Sequence, residues 1–485
     1  MSAAQSTPDA QGRSDFASIL ANPILNTDSY KASHYLQYPP DASAMFSYVE
    51  SRGGRYERTL FFGLQMLLKE YLCRPITTAM IEQARGFFSA HGEPFNEAGW
   101  RYVVEQYGGY LPVRIRAVPE GSVVPTHNVL MTVECDDPQV FWLASYLETM
   151  LLRVWYPITV ATQSWHLRKT IRAYLCRSSD DLAQLPFKLH DFGARGVSSA
   201  ESAAIGGAAH LVSFVGSDTV LGVLAANHYY NESMAAFSVP AAEHSTITSW
   251  GREREIEAYR NMIARFGKPG AIVSVVSDSY DLFAALDAWG TELKQAVLDS
   301  GGTLVIRPDS GDPRTIVLET LRLLEASFGA VTNSKGRRVL NNVRVIQGDG
   351  VNPDSIEAIL AAMDEAGFAT DNIVFGMGGA LLQQINRDTQ CFAMKCSAIR
   401  LGDTWHDVSK DPVTDHGKRS MKGRLTLLRH RVTGEYRTVT LPLAWDERTV
   451  ADEWDEALVT VFDSGRLLSD VSLAEIRNRA HEDEV

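Results

Sequence analysis

The feature that most constrains the fold is a strand pattern that recurs in the middle of the chain. Short runs rich in Val and Ile each end in polar residues or glycine, and stretches with helical patterning separate them. Strands and helices that alternate at this spacing are βαβ units, which build a parallel sheet. We therefore predict a parallel α/β barrel. The strands are predicted at residues 271–278, 303–311, 343–350 and 372–379, with an earlier one at 187–196, and the helices at 198–214, 280–300, 314–328 and 353–368.

The carboxyl ends of these strands carry residue types that hold phosphates, sugars or metal ions. They include Ser-Asp, Arg-Pro-Asp-Ser-Gly, Gly-Asp-Gly and Gly-Met-Gly-Gly. A single such end would be an ordinary polar turn, because Gly and Asp are common turn residues. In a parallel barrel, however, all strand ends gather on the face where the βα loops form the active site. Their succession therefore favours a functional site.

The two ends of the chain show no steady alternation of strands and helices. We predict an α+β domain assembled from both ends around the central barrel, with a flexible tail at the start. The predicted limits are residues 1–20 for the tail, 21–150 plus 395–485 for the α+β domain and 151–394 for the barrel. Within the flanks, strands are predicted at residues 111–118, 123–133, 424–432 and 436–441, and helices at 79–90 and 140–155.

Composition limits the classes of function. The chain has 46 Lys+Arg against 59 Asp+Glu, a net charge of −13, so we expect neither nucleic acid nor an anionic membrane as a partner. No apolar run is long enough to span a bilayer and no signal peptide is visible, which predicts a cytoplasmic protein. The five cysteines are an odd number without zinc-site spacing, which predicts free thiols.

Short nucleotide-binding motifs are absent. The sequence holds no P-loop, and residues 376–381 do not complete a Gly-x-Gly-x-x-Gly fingerprint. Glycines at the strand ends would instead let backbone N–H groups approach an anion at a helix start. Arg307 could bind a phosphate while Asp309 accepts from sugar hydroxyls. These residues favour a sugar phosphate as ligand.

Seven longer blocks carry more information than any short motif. Examples are Thr-Asp-Ser-Tyr-Lys at residues 27–31 and Ser-Val-Pro-Ala-Ala-Glu-His at residues 238–244. In these blocks the chain resembles the nicotinamide phosphoribosyltransferase family, in matching order from about residue 22 to 480. The blocks are residues 27–31, 190–196, 238–248, 274–281, 306–311, 344–350 and 418–424.

The resemblance implies a type II phosphoribosyltransferase-like fold and the synthesis of nicotinamide mononucleotide and pyrophosphate from nicotinamide and phosphoribosyl pyrophosphate, in NAD salvage. It also implies a homodimer with shared active sites, Mg²⁺ as cofactor and ATP as activating co-substrate. His244 would be phosphorylated by ATP to enhance turnover, and Glu243 could fix its tautomer. His244 is thus assigned as catalytic, together with Asp309 and Arg307.

The resemblance also implies the binding residues. Phe192 and Tyr30 of the partner subunit would sandwich the pyridine ring. Asp218 would accept from the carboxamide NH₂ and repel nicotinate. Arg195 would hold the carboxamide oxygen or the ribose phosphate. Ser274 is also assigned to nicotinamide, and Asp309 and Asp278 are assigned to Mg²⁺. The residues assigned to the phosphoribosyl and diphosphate groups are Asp278, Arg307, Asp309, Gly348, Asp349, Gly378, Gly379 and the partner subunit's Arg387 and Lys395.

The sequence permits more than one role for several residues and more than one function for the chain. His190 and Asp191 could suggest a catalytic pair, but neighbours in a strand face opposite ways, which favours a structural role. The basic cluster at residues 418–424 is either a solvated loop or phosphate-facing. Ala194, Ala393 and the short loop at residues 52–55 depart from the family pattern. Alternative functions are nicotinate or quinolinate phosphoribosyl transfer, a non-catalytic binding protein, and an unrelated sugar-phosphate barrel that uses a Schiff-base lysine.

Overall fold

The computed structural model describes residues 21–414, 419–442 and 452–484. The predicted tail at residues 1–20 and Lys418 of the basic cluster lie outside these ranges. The centre of the chain forms a curled parallel sheet of six strands, so the predicted fold class is confirmed. From one edge to the other the strands are Gly216–Ser217, Leu189–Asp191, Ile373–Met377, Val343–Gln347, Thr303–Arg307 and Ile272–Val276.

A short irregular segment joins the two edges of this parallel sheet. The N–H of Phe237 donates to the carbonyl of Val215 at 2.7 Å, beside one edge strand. Three residues further along, the carbonyl of Pro240 accepts from the N–H of Ser274 in the other edge strand at 3.0 Å. Isolated parallel bridges accompany both contacts. The half-barrel is thus completed by residues 237–241 rather than by a further regular strand.

The helices that follow the strands begin at side-chain caps read from the sequence. Asn352 accepts from the N–H groups of the first turn, and Pro353 occupies the first helical position, where its missing N–H has no cost. The predicted helix at residues 280–300 is wrong in one respect, because the chain breaks at Thr291 into two helices. The barrel helices are Ala200–His210, Val220–Tyr230, His244–Thr248, Glu255–Phe266, Leu282–Gly290, Lys294–Ser300, Pro313–Phe328, Pro353–Glu365 and Gly379–Leu382.

Beside the barrel lies an antiparallel sheet of seven strands that draws on both ends of the chain. The predicted strand at residues 123–133 is split by a turn in which His127 adopts a φ of 64°. The predicted domain limit at 394/395 falls inside a strand that pairs along its length with an N-terminal strand. The strands in order are Thr404–Asp407, Phe392–Leu401, Ala42–Ser51, Val129–Cys135, Arg114–Ala117, Val459–Asp463 and Arg466–Leu467.

Three smaller sheets and the flanking helices complete the described structure. The predicted helix at residues 140–155 is instead two short helices, followed by a 24-residue helix, Trp155–Ser178. The small sheets are Arg58–Leu60 with Val123–Pro125, Ala330–Thr332 with Arg338–Leu340, and Tyr436–Leu441, Arg424–His430 and Trp454–Glu456. The flanking helices are Leu64–Leu67, Thr78–His91, Glu97–Tyr107, Leu143–Tyr146, Glu148–Leu152 and Leu473–Ala480.

Two large clusters of buried apolar side chains correspond to the two large sheets. The barrel cluster also takes in side chains from near both termini, such as Leu60 and Ile476. All five cysteines are free, as expected. Within the part of the chain that the structure describes, no helix combines the length and apolar character that a membrane crossing requires.

Candidate active site

The carboxyl ends of the parallel strands form the mouth of the barrel, where two neighbouring groups of side chains stand. The groups meet at Gly348, where a Cβ would stand 3.5 Å from the ring of Phe192 and 3.6 Å from the carboxylate of Asp309. We call the group of His190, Phe192, Asp218 and Ser238 the Phe192 end, and the group of His244, Asp278, Arg307 and Asp309 the His244 end. Both groups come from the strand ends or from the closing segment at residues 237–241 and the helix after it. Sequence-distant residues are thus brought to one face, as expected for a parallel barrel.

At the Phe192 end, one carboxylate is held by two donors. His190 Nε2 lies 3.1 Å from Asp218 Oδ1, and the hydroxyl of Ser238 donates to the same oxygen. Burial works to raise the pKa of Asp218, but these hydrogen bonds and the positive charge of Arg307 outweigh it and leave that pKa below its ordinary value. Asp218 is 48% exposed, so an anion faces the mouth.

The ring of Phe192 lies over the floor of the mouth, where a glycine makes room for it. A Cβ at Gly376 would stand 2.0 Å from the ring, and one at Gly348 would stand 3.5 Å from it. The backbone N–H of Phe192 donates to Met377 at 3.0 Å, which fixes the turn after its strand. The half-buried ring therefore offers a flat apolar surface beside Asp218.

The two residues before Phe192 point to opposite faces, as the alternation of a strand requires. His190 contacts Asp218, whereas the carboxylate of Asp191 is buried and accepts from the N–H of Gly193 at 2.7 Å. Burial raises the pKa of Asp191 to about 6. His190 and Asp191 therefore bond to different partners on the two faces of the strand. Asp191 supports the turn that carries Phe192, and His190 supports Asp218.

At the His244 end, one imidazole faces two carboxylates. His244 opens a short helix, its Nδ1 lies 3.1 Å from the hydroxyl of Ser279, and its Nε2 lies 3.3 Å from Asp309 Oδ2 and 3.8 Å from Asp278 Oδ1. The side chain is 44% exposed. Ser279, Asp278 and Asp309 therefore surround His244, and its Nε2 edge is turned towards the mouth.

Glu243 does not fix the tautomer of His244. Its carboxylate caps the same short helix and accepts from the hydroxyl of Ser245. The residue that contacts Nδ1 is Ser279, which the sequence did not single out. The hydrogen bond of the Glu243 carboxylate is thus made to Ser245 within its own first turn, as is usual for a helix N-cap, and not to the ring of His244.

Two groups at the His244 end keep unused hydrogen-bonding capacity. Asp278 Oδ2 accepts from the N–H of Asp309 at 2.9 Å and from the hydroxyl of Ser310 at 2.6 Å. Its other oxygen, Oδ1, is buried without a hydrogen-bond partner, and so is Nε of Arg307. The closest carboxylate to Arg307 is Asp309, at 3.5 Å. Buried groups left unpaired are costly, which makes this end receptive to a charged ligand.

Glycine-rich turns line the mouth between the two ends. Gly348 and Asp349 follow the strand Val343–Gln347, and buried Gln347 supports their turn by donating to the carbonyl of Asp349 at 2.8 Å. A Cβ at Gly379 would meet no atom within 4 Å, so its backbone faces open space. The turn that bears exposed Arg195 lies against Gly379, because a Cβ at Gly196 would stand 3.6 Å from it.

Several assigned residues lie away from this constellation within the chain. Tyr30 is 54% exposed, and its ring packs edge-on against His34 at 4.9 Å. Lys395 lies in the antiparallel sheet, 3.7 Å from Glu148, and its pKa is lowered by burial. Arg387 is exposed and pairs with its neighbour Asp388 at 3.1 Å. Ser274 is buried where the closing segment meets the edge strand.

Comparison with known proteins places this chain in a family. Residues 187–464 match the "Nicotinate phosphoribosyltransferase (NAPRTase) family" and residues 22–115 match the "Nicotinamide phosphoribosyltransferase, N-terminal domain". The chain is 60% identical over 463 residues to a nicotinamide phosphoribosyltransferase of Xanthomonas campestris, covering 95% of this chain and 98% of that one. It is 32% identical over 502 residues to another, from Acinetobacter baylyi, covering 95% and 97%.

A solved structure shares the fold at low sequence identity. The nicotinate-nucleotide pyrophosphorylase from Pyrococcus furiosus superposes with a TM-score of 0.63 at 16% identity, covering 98% of both chains. This similarity supports the architecture of half-barrel and flanking sheet. It carries no information on the base that this chain binds.

Proposed function

Because this chain belongs to the nicotinamide phosphoribosyltransferases, which are pentosyltransferases, we propose that it makes nicotinamide mononucleotide and pyrophosphate from nicotinamide and phosphoribosyl pyrophosphate, in NAD salvage. The observation that carries the choice of base is the charged Asp218, held by His190 and Ser238. Its carboxylate accepts from the carboxamide NH₂ of nicotinamide and repels the carboxylate of nicotinate.

The Phe192 end would bind the base. The pyridine ring would lie on Phe192, with its carboxamide directed at Asp218 and its oxygen within reach of Arg195. Tyr30 of the partner subunit would cover the other face of the ring, and Ser274 would border this pocket. Within one chain Tyr30 packs on His34, so a ring sandwich requires the homodimer that we propose, with active sites shared between the two subunits.

The His244 end would bind the sugar donor. Arg307 has an unpaired Nε for the pyrophosphate, and Asp309 would accept from the ribose hydroxyls. The backbones of Gly348, Asp349, Gly378 and Gly379 would hold the 5′-phosphate, because N–H groups at a helix start favour an anion. We propose that Arg387 and Lys395 of the partner subunit complete this phosphate site.

The reaction needs alignment and charge neutralisation rather than a covalent enzyme intermediate. The pyridine nitrogen attacks C1′ of the ribose while pyrophosphate leaves, and positive charge develops on the sugar ring. Binding the base at the Phe192 end and the pyrophosphate at the adjoining His244 end would place nucleophile and leaving group in line on either side of C1′. Arg307 would stabilise the departing negative charge in a partly desolvated site.

Magnesium fits the carboxylates of the His244 end. Asp278 Oδ1 is buried without a hydrogen-bond partner, and Asp309 lies beside it, so both offer oxygen ligands of the kind that Mg²⁺ prefers. Across the described ranges no set of three or more such side chains has metal-binding geometry. Substrate oxygens and water would therefore supply most ligands. When bound, the ion would neutralise charge on the pyrophosphate.

His244 would be the site of activation by ATP. Its Nε2 edge faces the mouth and Asp309, and 44% of the side chain is exposed. A ring nitrogen would attack the γ-phosphorus, ADP would leave, and the resulting phosphohistidine would stand beside the pyrophosphate site. We propose that this added group improves the binding and turnover of phosphoribosyl pyrophosphate.

The test of the proposed function is steady-state turnover with nicotinamide and nicotinate in parallel, each with phosphoribosyl pyrophosphate and Mg²⁺. The expected result is a much higher kcat/KM for nicotinamide. Equal efficiency with the two bases would contradict the role of Asp218 and favour nicotinate phosphoribosyl transfer. Absence of turnover with either base would favour a binding protein.

A further inference from the structure

Away from the barrel mouth, a cavity of about 870 Å³ has five cationic side chains in its lining. It lies between the hairpin of Arg424–His430 and Tyr436–Leu441, the long helix Trp155–Ser178 and the C-terminal helix. None of the strand ends that form the mouth borders it. We call this cavity the basic cleft. Its cations are Arg58, Lys169, Arg429, Arg431 and Arg479.

Three of these cations have no carboxylate partner in the described part of the chain. Lys169 lies over the ring of Trp165 at 3.9 Å, and Arg429 lies over the ring of Tyr436 at 5.8 Å. Arg58 projects exposed from the start of its strand. The chain as a whole has a net charge of −13, yet no carboxylate of the described ranges pairs with Arg58, Lys169 or Arg429.

Most of the other charged side chains of the cleft already have an ion-pair or hydrogen-bond partner. Arg431 pairs with Asp455 at 2.8 Å, and Arg479 donates to the backbone carbonyl of Glu120. Of the two carboxylates in the lining, Glu435 pairs with Arg437 at 3.2 Å. Glu482 makes no ion pair among the described residues. The cleft therefore carries a surplus of positive charge.

Four charged side chains of the basic cleft act on one group, the hydroxyl of Tyr436. The side chain of Tyr436 is half-buried, and desolvation is the largest cause that raises the pKa of its phenol. Arg429, Arg58 and Arg479 each lower this pKa and Glu482 raises it, so all four act on the same hydroxyl. Cations gathered around one cavity repel one another, and a multivalent anion placed between them would remove that cost.

From this geometry we propose that the basic cleft is a second anion site, separate from the barrel mouth, that binds a polyphosphate chain. A volume of 870 Å³ is in the range of small-molecule sites and exceeds the need of a single phosphate. Arginines at several positions around a cavity match the successive phosphates of such a chain. Tyr436 adds an aromatic surface that a nucleotide base could contact.

The test measures binding of inorganic tripolyphosphate to the full-length protein, with amide hydrogen exchange as the local readout. The expected result is slower exchange in residues 424–441 on addition of tripolyphosphate, together with a binding event additional to that at the mouth. In the triple variant Arg58→Ala, Lys169→Ala, Arg429→Ala, the protection should disappear and that affinity should fall by about tenfold or more.

A matched control loses the same charge elsewhere. Arg74, Arg85 and Arg254 are exposed arginines outside the cleft, and their replacement by Ala should leave the protection of residues 424–441 intact. Equal loss in both triple variants would overturn the proposal, because it would reduce the effect to net charge. Unchanged exchange in the native protein would overturn it as well.

A second arm replaces tripolyphosphate by ATP. Tighter protection by ATP would assign a nucleoside triphosphate to the cleft, and equal protection would assign the phosphate chain alone. Both outcomes support the site. Because the readout is exchange in the hairpin, it is independent of turnover and of the base that the mouth accepts.

Discussion

The Phe192 end and the His244 end each set a histidine beside aspartate, yet they differ in how completely their polar groups are satisfied. Asp218 is held by two donors on one oxygen, and the ring of Phe192 sits in space left by Gly376. At the His244 end, Asp278 Oδ1 and Arg307 Nε have no hydrogen-bond partner. His244 meets its carboxylates at 3.3 and 3.8 Å, which is long for a tight pair.

The difference indicates what each end is suited to bind. A preorganised end with one exposed anion selects a neutral partner by hydrogen bonding, and a flat ring fits beside it. An end with unpaired cationic and anionic groups gains most from a charged, multidentate ligand with its metal ion. This difference supports the proposal that the base binds at the Phe192 end and the sugar phosphates bind at the adjoining His244 end.

The variant Arg307→Ala should give the largest effect, and it tests whether the His244 end binds the sugar donor. Loss of the guanidinium should lower kcat/KM for phosphoribosyl pyrophosphate by about a hundredfold to a thousandfold, because the departing charge loses its donor. Steady-state kinetics measures this, with Arg322→Ala on an exposed part of a barrel helix as control. If the variant instead raised only the KM for nicotinamide, the assignment of the His244 end would be wrong.

The variant Asp218→Asn tests the assignment of the base to the Phe192 end. The variant keeps the shape of the side chain but removes its charge, so the preference for nicotinamide over nicotinate should shrink by about tenfold to a hundredfold. The ratio of the two kcat/KM values measures the effect. Asp299→Asn, an exposed aspartate bonded to Gln295, is the matched control. An unchanged ratio would place base selection elsewhere.

His244→Ala separates activation from basal catalysis. We expect the rate with ATP to equal the rate without ATP, while weak basal synthesis remains, since the imidazole is absent from the base and sugar contacts. Initial rates at low phosphoribosyl pyrophosphate with and without ATP measure this. His406→Ala, an exposed histidine of the antiparallel sheet, is the control. Undiminished stimulation in the variant would refute the role of His244.

The smallest expected effect is on the pH dependence of folding stability, and it arises from His210 beneath the Phe192 end. His210 is buried, its Nδ1 accepts from Ser164 and its Nε2 donates to Leu189 O, so the neutral ring is required. Burial lowers its pKa from 6.5 to about 3. The unfolded chain therefore binds more protons below pH 6.5, and stability is lost as the pH falls, by about 2 kcal/mol at pH 5.

Replacement of His210 isolates this contribution. His210→Gln can keep both hydrogen bonds but cannot bind a proton, so the variant should be less sensitive than the native protein to a change from pH 7 to pH 5. Urea unfolding at the two pH values measures the difference. An identical loss of stability in both proteins would show that His210 contributes nothing to the pH dependence.

The parallel strands and their polar ends were predictable because a buried parallel strand leaves a local signal, a short apolar run closed by Gly or Asp. The helix at Pro353 was equally local, since its cap lies next to its first turn. The helix Trp155–Ser178 left no such signal. It is buried on several sides and includes buried Thr159, Gln163 and Ser164, so its apolar residues form no single stripe.

Contacts between distant residues were beyond the sequence. The resemblance assigned His244, but nothing local to it indicated that Ser279 would contact its Nδ1 or that Asp309 would face its Nε2. Ser238 was part of a matched block, yet its contact with Asp218 arises only when the closing segment bridges the barrel edges. Gly376 leaves room for the ring of Phe192, but the sequence does not show that these two residues lie next to each other.

The most direct test of the central claim is a crystal structure of the enzyme with nicotinamide mononucleotide bound. We expect the pyridine ring on Phe192, the carboxamide NH₂ within hydrogen-bond distance of Asp218, and the 5′-phosphate against Gly378 and Gly379. A ring bound at the His244 end, with Asp218 facing the phosphate or only solvent, would contradict it.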